Sequence, residues 1–314
     1  MTSTEHVNTV SMEAGMSTDT SSTSWGSQVR VLYRPWGPLA AEKVVRGLSN
    51  PKYHADRDTV SKSGFWLFHT EGPAAFHSHY VVRDAAKTES SALSHGTLLH
   101  DWLEQGSEEF WKWVAIAPSS TVTPTGLLGK QSREWARENA PEKKLISPNE
   151  ADQLEKEIAR LEGDPKFREL IEEREESEVS CFFNLDDFPC RTRPDLICGG
   201  KVVDLKTTRE TGLYRNFWKA VVRYGYHAQD YLYQQGMRLL GLDPKPLVFV
   251  VVSTAPTHET LICTLPPALT ALGGQIIHTA IADIRLRVDL DCWLPDQHGE
   301  VVELPVPAHC LGGE

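Results

Sequence analysis

Residues 193–208 read RPDLICGGKVVDLKTT, and the fold turns on how they are taken. Gly199-Gly200 separates two short apolar runs, LIC and KVV, in the pattern of a tight hairpin. Asp195 stands just before the first run. Asp204 and Lys206 close the second, two positions apart and therefore on one face of a strand. Cross-strand spacing brings Asp195 to the same spot, about 4–8 Å across. Two carboxylates with room for water bind a hard cation such as Mg²⁺. A lysine beside them can orient or deprotonate a water, which completes the equipment for metal-assisted phosphodiester hydrolysis. A surface hairpin with an ion pair gives the same bare pattern. Pro194, which makes the pattern P-D…D-x-K, the apolar flanks of Asp204, and Glu178 upstream as a third acid favour the site.

The rest of the composition frames that reading. The 314 residues (35.1 kDa) are 40% hydrophobic and 24% charged, enough for one large domain or a domain with a small satellite. No run of 18 apolar residues is present, so no membrane span is expected. The first residues lack the basic-then-apolar layout of a signal peptide. Cysteines at 181, 190, 198, 263, 292 and 310 form no C-x-x-C pair, which disfavours a zinc ribbon or a four-cysteine cluster and predicts reduced thiols in a cytoplasm. A net charge of −11 argues against a broad nucleic-acid-binding surface. The charge is uneven, however. Twelve acids face five bases between Glu150 and Glu178, whereas eight bases face three acids between Arg191 and Arg223. The basic stretch surrounds the quoted motif and suits a polyanion; two solvated faces are the plainer alternative.

Along the chain, residues 1–28 are Ser/Thr-rich and predict a disordered tail. Residues 37–48 read as a short helix, Ser61–Arg83 as two short helices around Gly72-Pro73, and Ser94–Gln105 as an amphipathic helix. Residues 118–146 are polar, with a helix near 130–138. Ser147-Pro148-Asn149-Glu150 is a helix start with serine cap, proline at the first position and glutamate completing a capping box. That helix breaks at Gly163-Asp164-Pro165. Three antiparallel strands follow, Glu178–Asn184, Pro189–Cys198 and Lys201–Thr207, then a helix over Tyr214–Leu240 broken at Gly225. Leu247–Ser253 reads as a buried strand, Leu261–Leu265 as another, and Pro266–Val288 as a helix. Residues 29–314 thus divide into a helical part (29–146), a core (147–290) and an extension (291–314).

RTRPDLICGGKVVDLKTT (191–208) followed by YRNFWKAVVRYGYHAQDYLYQQGM (214–237) resembles the PD-(D/E)XK nuclease superfamily, and within it the RecE-like exonucleases of exodeoxyribonuclease VIII type found in phages and prophages. The likeness extends to YHADRDTVSKSGFWLFHTEGPAAFHSHY (53–80) and HGTLLHDWLEQGSEEF (95–110), covering roughly 50–305. It implies an α/β fold with a central mixed β-sheet flanked by helices. It implies Asp195 and Asp204 as metal-binding carboxylates, Lys206 as the catalytic lysine, Glu178 as an upstream acid, and His100 with the Leu205 carbonyl as further ligands of Mg²⁺ or Mn²⁺. Gln229 and Tyr233 match a QxxxY pair near the DNA, with Arg193 and Arg209 as basic neighbours. His69, His77 and His79 are taken as helix residues. The resemblance further implies attack on double-stranded DNA ends, 5′-strand resection leaving 3′ overhangs for recombination, a homo-oligomeric ring, and a single-strand annealing protein as partner. The alternatives are another branch of the superfamily, RecB-like or the iron–sulfur-bearing CRISPR-associated kind, or a catalytically silent DNA-binding phage protein.

Overall fold

The protein is described here by a computed structural model covering residues 36–82, 91–295, 298–299 and 301–303, with backbone alone for 91–94. The tail expected over 1–28 and most of the extension beyond 303 lie outside the described residues. The first part carries β1 (Lys43–Val45), α1 (Asn50–Ala55), α2 (Lys62–Phe76), a π-helical stretch (His77–Val82), α3 (Ser91–Gln105), α4 (Ser107–Trp113), β2 (Val114–Ile116), α5 (Lys130–Asn139) and β3 (Lys144–Ile146). The second carries α6 (Pro148–Gly163), α7 (Pro165–Glu172), β4 (Arg174–Ser177), β5 (Ser180–Leu185), β6 (Phe188–Thr192), β7 (Leu196–Cys198), β8 (Lys201–Thr208), α8 (Leu213–Tyr224), α9 (Tyr226–Met237), a 3₁₀ turn (Arg238–Leu240), β9 (Val248–Ser253), β10 (Thr260–Cys263) and α10 (Pro267–Leu290).

The central sheet has the order β10-β9-β8-β7-β4 and is mixed: β8 and β9 run parallel, the other pairs antiparallel. β8 lies in the middle. Its alternate residues sort to two helical layers, as the period of two requires. Val203 and Leu205 pack with Leu98, Leu99 and Trp102 of α3 and Leu154, Ile158 and Leu161 of α6. Val202 packs on the opposite face with Phe217 and Val221 of α8, Tyr226 and Met237 of α9, and Phe249 and Val251 of β9. Asp204 and Lys206 share that second face by register.

Several sequence cues act as read. The Ser147 hydroxyl accepts the Glu150 amide at 3.2 Å to open α6, and the chain breaks at Gly163-Asp164-Pro165, where the Asp164 carboxylate, not foreseen as a cap, accepts the Lys166 amide at 2.8 Å to open α7. Gly225, in the left-handed region at φ 67°, separates α8 from α9. Four expectations change. Residues 43–45 form a strand, not helix, because Val44-Val45 pairs with Cys181 and Ser180 of β5; Pro51 stands in the first turn of α1. Pro189–Cys198 is two strands in two sheets: β6 pairs with β5, which carries β1 on its other edge, whereas β7 joins the central sheet. Pro194 sits at the switch, having no amide to donate to either ladder. Glu178 is not in a strand; at φ 51° it turns the chain between β4 and β5. Finally, the polar 118–146 segment is flanked by an unforeseen parallel pair, β2 and β3.

α10 crosses α9 at very short range. A Cβ built at Gly273 would stand 2.1 Å from the His227 carbonyl oxygen, so only glycine fits beneath the α9 backbone.

Candidate active site

β7 stops pairing at Leu196 opposite Val203, while β8 runs on to Thr208. The Leu205 amide would be left open on that side. The Asp195 carboxylate takes it at 2.7 Å, standing in for the missing strand. The same oxygen, Oδ2, lies 3.2 Å from Nδ1 of His100, carried by α3. One turn of ladder away, Asp204 is almost fully buried, with Lys206 Nζ against its Oδ2 and Gln229 Nε2 donating to its Oδ1. Oδ2 accepts no well-directed hydrogen bond, although the ammonium is paired with it as a charge. Lys206 and His100 keep 16% and 34% of their side chains exposed, so solvent reaches a site whose carboxylates are deeper.

The electrostatics follow from this packing. Burial works against the His100 imidazolium, but Asp195 outweighs it and lifts the group to about 9. Burial would raise Asp195; His100, Lys206 and the Leu205 amide reverse this and hold it below the usual carboxylate range. Asp204 is raised, by burial first and then by the charge of Asp195, against the pull of Lys206. Burial opposes the Lys206 ammonium as well, yet Asp204, Tyr226 and Asp195 raise it above an ordinary lysine. Glu178 is pushed up to about 7 by burial and by Asp195, against Arg193.

His100, Asp195, Asp204, Leu205 and Lys206 are therefore brought together from α3, β8 and the approach to β7. Glu178 stands beside them: its amide donates to the Asp195 carbonyl at 3.1 Å and its carboxylate lies 3.3 Å from Arg193. Three residues expected at the DNA face turn inward. Arg193 is 7% exposed; Nε donates to Ser180 at 2.9 Å, Nη1 to Asn50 at 2.9 Å, Nη2 to the Leu48 carbonyl, and the guanidinium stacks 4.3 Å from the Tyr53 ring centroid. It ties the strand switch at Pro194 to the start of α1. The Tyr233 hydroxyl donates to the Arg193 carbonyl at 3.0 Å, and Gln229 holds Asp204. The QxxxY pair thus fixes the acids from behind. Arg209 is exposed, just past β8.

Two residues at the site were not foreseen. The Tyr226 ring lies 4.8 Å from Lys206 Nζ and 5.5 Å from Lys62 Nζ, so two ammonium groups share one aromatic platform. Lys62, from α2, donates to the Tyr224 carbonyl at 3.0 Å. Burial and then the like charge of Lys206 lower it to about 8. Only the G-Y dipeptide at 225–226 marks this platform in the sequence, and Lys62 lies 142 positions before Asp204 with no local signature.

Among the described residues no three His, Cys, Asp or Glu side chains already stand as a metal-ligating group. The reason is visible: Lys206 and Gln229 occupy the Asp204 oxygens, and His100 and the Leu205 amide share Oδ2 of Asp195. The donor chemistry nevertheless fits a divalent ion, with two buried carboxylates, an imidazole, and an Asp204 oxygen that no directed donor satisfies.

Residues 61–285 match a family described as a PDDEXK-like domain of unknown function (DUF3799). No curated protein matches the chain. Among solved structures, a protein of Eubacterium rectale described as a "putative exonuclease" superposes with a TM-score of 0.54 at 18% identity, over 85% of this chain and 99% of the other. That likeness is one of fold. The matched residues run from α2 into α10 and contain the entire carboxylate site, and the chain belongs to this PDDEXK-like family of the PD-(D/E)XK superfamily.

Proposed function

We propose that the protein is a divalent-metal-dependent deoxyribonuclease that degrades linear duplex DNA from its ends. The observation that carries the reading is the convergence of His100, Asp195, Asp204 and Lys206 on the central strand of a PDDEXK-like domain. Asp195 and Asp204 would hold the ion, with His100 and the Leu205 carbonyl as further ligands. Bound there, Mg²⁺ or Mn²⁺ supplies Lewis-acid polarisation of the phosphodiester and a more acidic water.

The chain's own groups do the rest. Lys206, raised by its acidic neighbours, keeps its proton; its part is to orient water and offset negative charge on the phosphate. Gln229 fixes the rotamer of Asp204, and the Leu205 amide fixes that of Asp195. Tyr226 holds Lys206 and Lys62 over one ring, a doubly cationic platform beside the acids that suits a phosphate. The RecE-like resemblance adds 5′-strand resection, a ring of subunits and a single-strand annealing partner. Arg191 and Arg193 are buried, so the bases of that stretch open to a polyanion are Arg209, Arg215, Lys219 and Arg223; in a chain of net charge −11 they favour a confined DNA track over an open basic surface.

The test uses a covalently closed plasmid, a blunt linear fragment and a single strand, each with Mg²⁺ or Mn²⁺. Loss of the linear duplex with persistence of the circle is expected. Equal loss of both would replace the exonuclease reading with an endonuclease, and survival of all three would exclude a nuclease.

A further inference from the structure

α8 presents an unusual outer face. Its inner residues, Leu213, Phe217, Ala220 and Val221, are buried against the sheet. Outside, Tyr214 is 90% exposed, Trp218 58% and Val222 48%, a stripe at i, i+4 and i+8. Directly beside it, at the same spacing, run Arg215, Lys219 and Arg223, all exposed. No acid occurs between Leu213 and Tyr224. Large exposed aromatics on a helix call for an occupant, and three cations without an acid, on a chain of net charge −11, specify a polyanion.

We infer that the outer face of α8 is a binding track for single-stranded nucleic acid, on which bases stack against Tyr214 and Trp218 while Arg215, Lys219 and Arg223 follow the phosphates. This rests on the nuclease reading for its purpose, though not for its physics. Rings four residues apart are separated by about 6 Å along the helix axis. Stacked duplex DNA spaces its bases by about 3.4 Å per strand. The rings therefore match an unstacked strand and not a duplex, and aromatic-plus-basic surfaces of this kind are how unpaired strands are held. The track also leads to the site. The Arg223 and Tyr224 carbonyls accept hydrogen bonds from Trp66 at 3.3 Å and Lys62 at 3.0 Å, and Tyr226, next beyond the helix, carries Lys206 on its ring. A strand lying on α8 is thereby delivered to, or led away from, Asp195 and Asp204.

The experiment measures anisotropy of a fluorescein-labelled 20-nucleotide oligothymidine and of a blunt duplex of equal length, with the full chain in EDTA so that nothing is cleaved. Variants are Tyr214→Ala with Trp218→Ala, Tyr214→Phe with Trp218→Phe, and Arg215→Gln with Lys219→Gln and Arg223→Gln. The alanine pair is expected to weaken oligothymidine binding about tenfold or more while duplex binding stays within about twofold, and the phenylalanine pair should retain binding. The charge variant should reduce the slope of log affinity against log salt by about 2, at roughly 0.7 per cation. No oligothymidine binding by the wild type, equal losses for both probes, or unchanged binding in the alanine pair would each overturn the inference. So would sedimentation showing that the alanine pair dissociates an oligomer without altering oligothymidine affinity, which would make the face a subunit contact. Mn²⁺-dependent hydrolysis of thymidine 5′-(p-nitrophenyl phosphate), too small to need α8, is measured in parallel. Its absence in the wild type would count against the nuclease reading alone, and its preservation in the alanine pair is expected.

Discussion

Asp204 and Asp230 are both almost fully buried, and burial raises both carboxyls, yet their surroundings differ in kind. Asp230, on α9, accepts the Leu247 amide at 2.7 Å and Gln234 at 3.1 Å on one oxygen, and the Thr270 hydroxyl on the other. All its donors are neutral, and they come from α9 itself, the lead into β9 and the first turn of α10. It is a staple between three segments. Asp204 has one neutral donor, Gln229, one ammonium, and an oxygen without a directed bond, and it feels the charge of a second carboxylate, Asp195. A satisfied buried acid holds the fold. An acid facing charges of both signs is stabilised only in part and is suited to taking a ligand.

The sharpest way to break this contrast is to remove each acid. Asp204→Ala and Lys206→Ala are each expected to lower nuclease turnover by about a thousandfold, the scale of a lost electrostatic group, with circular dichroism unchanged. Asp204→Ala should also weaken divalent-ion binding, whereas Lys206→Ala should not. Asp230→Ala is expected to do the reverse. It strands three donors and should cost on the order of 3 kcal/mol, a melting-point fall of roughly 6–10 °C, with turnover per folded molecule near wild type. Wild-type turnover in the Asp204 or Lys206 variant, or unaltered melting in the Asp230 variant, would erase the distinction.

Metal sharpens it further. Saturating Mg²⁺ or Mn²⁺ should raise the melting temperature of the wild type and of Asp230→Asn, by about 3 kcal/mol of linkage at a hundredfold excess over Kd, and chelation should reverse the gain. Asp204→Asn should show none of it in the same scan.

The design of the polar site was only half legible. Asp195, Asp204 and Lys206 could be read because they are local: a hairpin and a period of two place them together. The helix cap at Ser147 and the breaks at Gly163-Asp164-Pro165 and Gly225 are local in the same sense. What escaped depends on distant partners. β1 is a strand because β5, over 130 positions later, supplies its pair. Arg193 looks like a surface base until Asn50, the Leu48 carbonyl and Tyr53 close around it. Gln229 and Tyr233 have the spacing of a helix face, but spacing does not say whether that face meets DNA or the back of a carboxylate.

The smallest expected effect concerns Glu178 in metal-free protein. Its folded pKa of about 7 lies above the ordinary value of 4.5, so its charge is disfavoured on folding. The resulting penalty is absent at pH 4, grows as pH rises through 4.5, and is complete above about 7. Glu178→Gln loses the ion pair with Arg193 at neutral pH but also removes this penalty. The difference in melting temperature between variant and wild type should therefore move in favour of the variant between pH 4 and pH 8, by about 2–4 °C, for a linkage on the order of 1 kcal/mol. A flat difference would mean that Glu178 is no more hindered in ionising than a surface glutamate.

The crossing of α10 beneath α9 at Gly273 bears on how this sequence can drift. The carbonyl that a methyl group there would strike belongs to His227, two residues before Gln229. A single added carbon, on a helix that contributes nothing to the chemistry, would have to lift the segment that steadies Asp204. Relatives that lose this glycine should therefore be found with compensating change in α9, or with a silent site whose acids and lysine are all still in place. In a lineage of such domains, an intact P-D…D-x-K would then be a poor certificate of activity, and one small residue on the far side of the helix a better one.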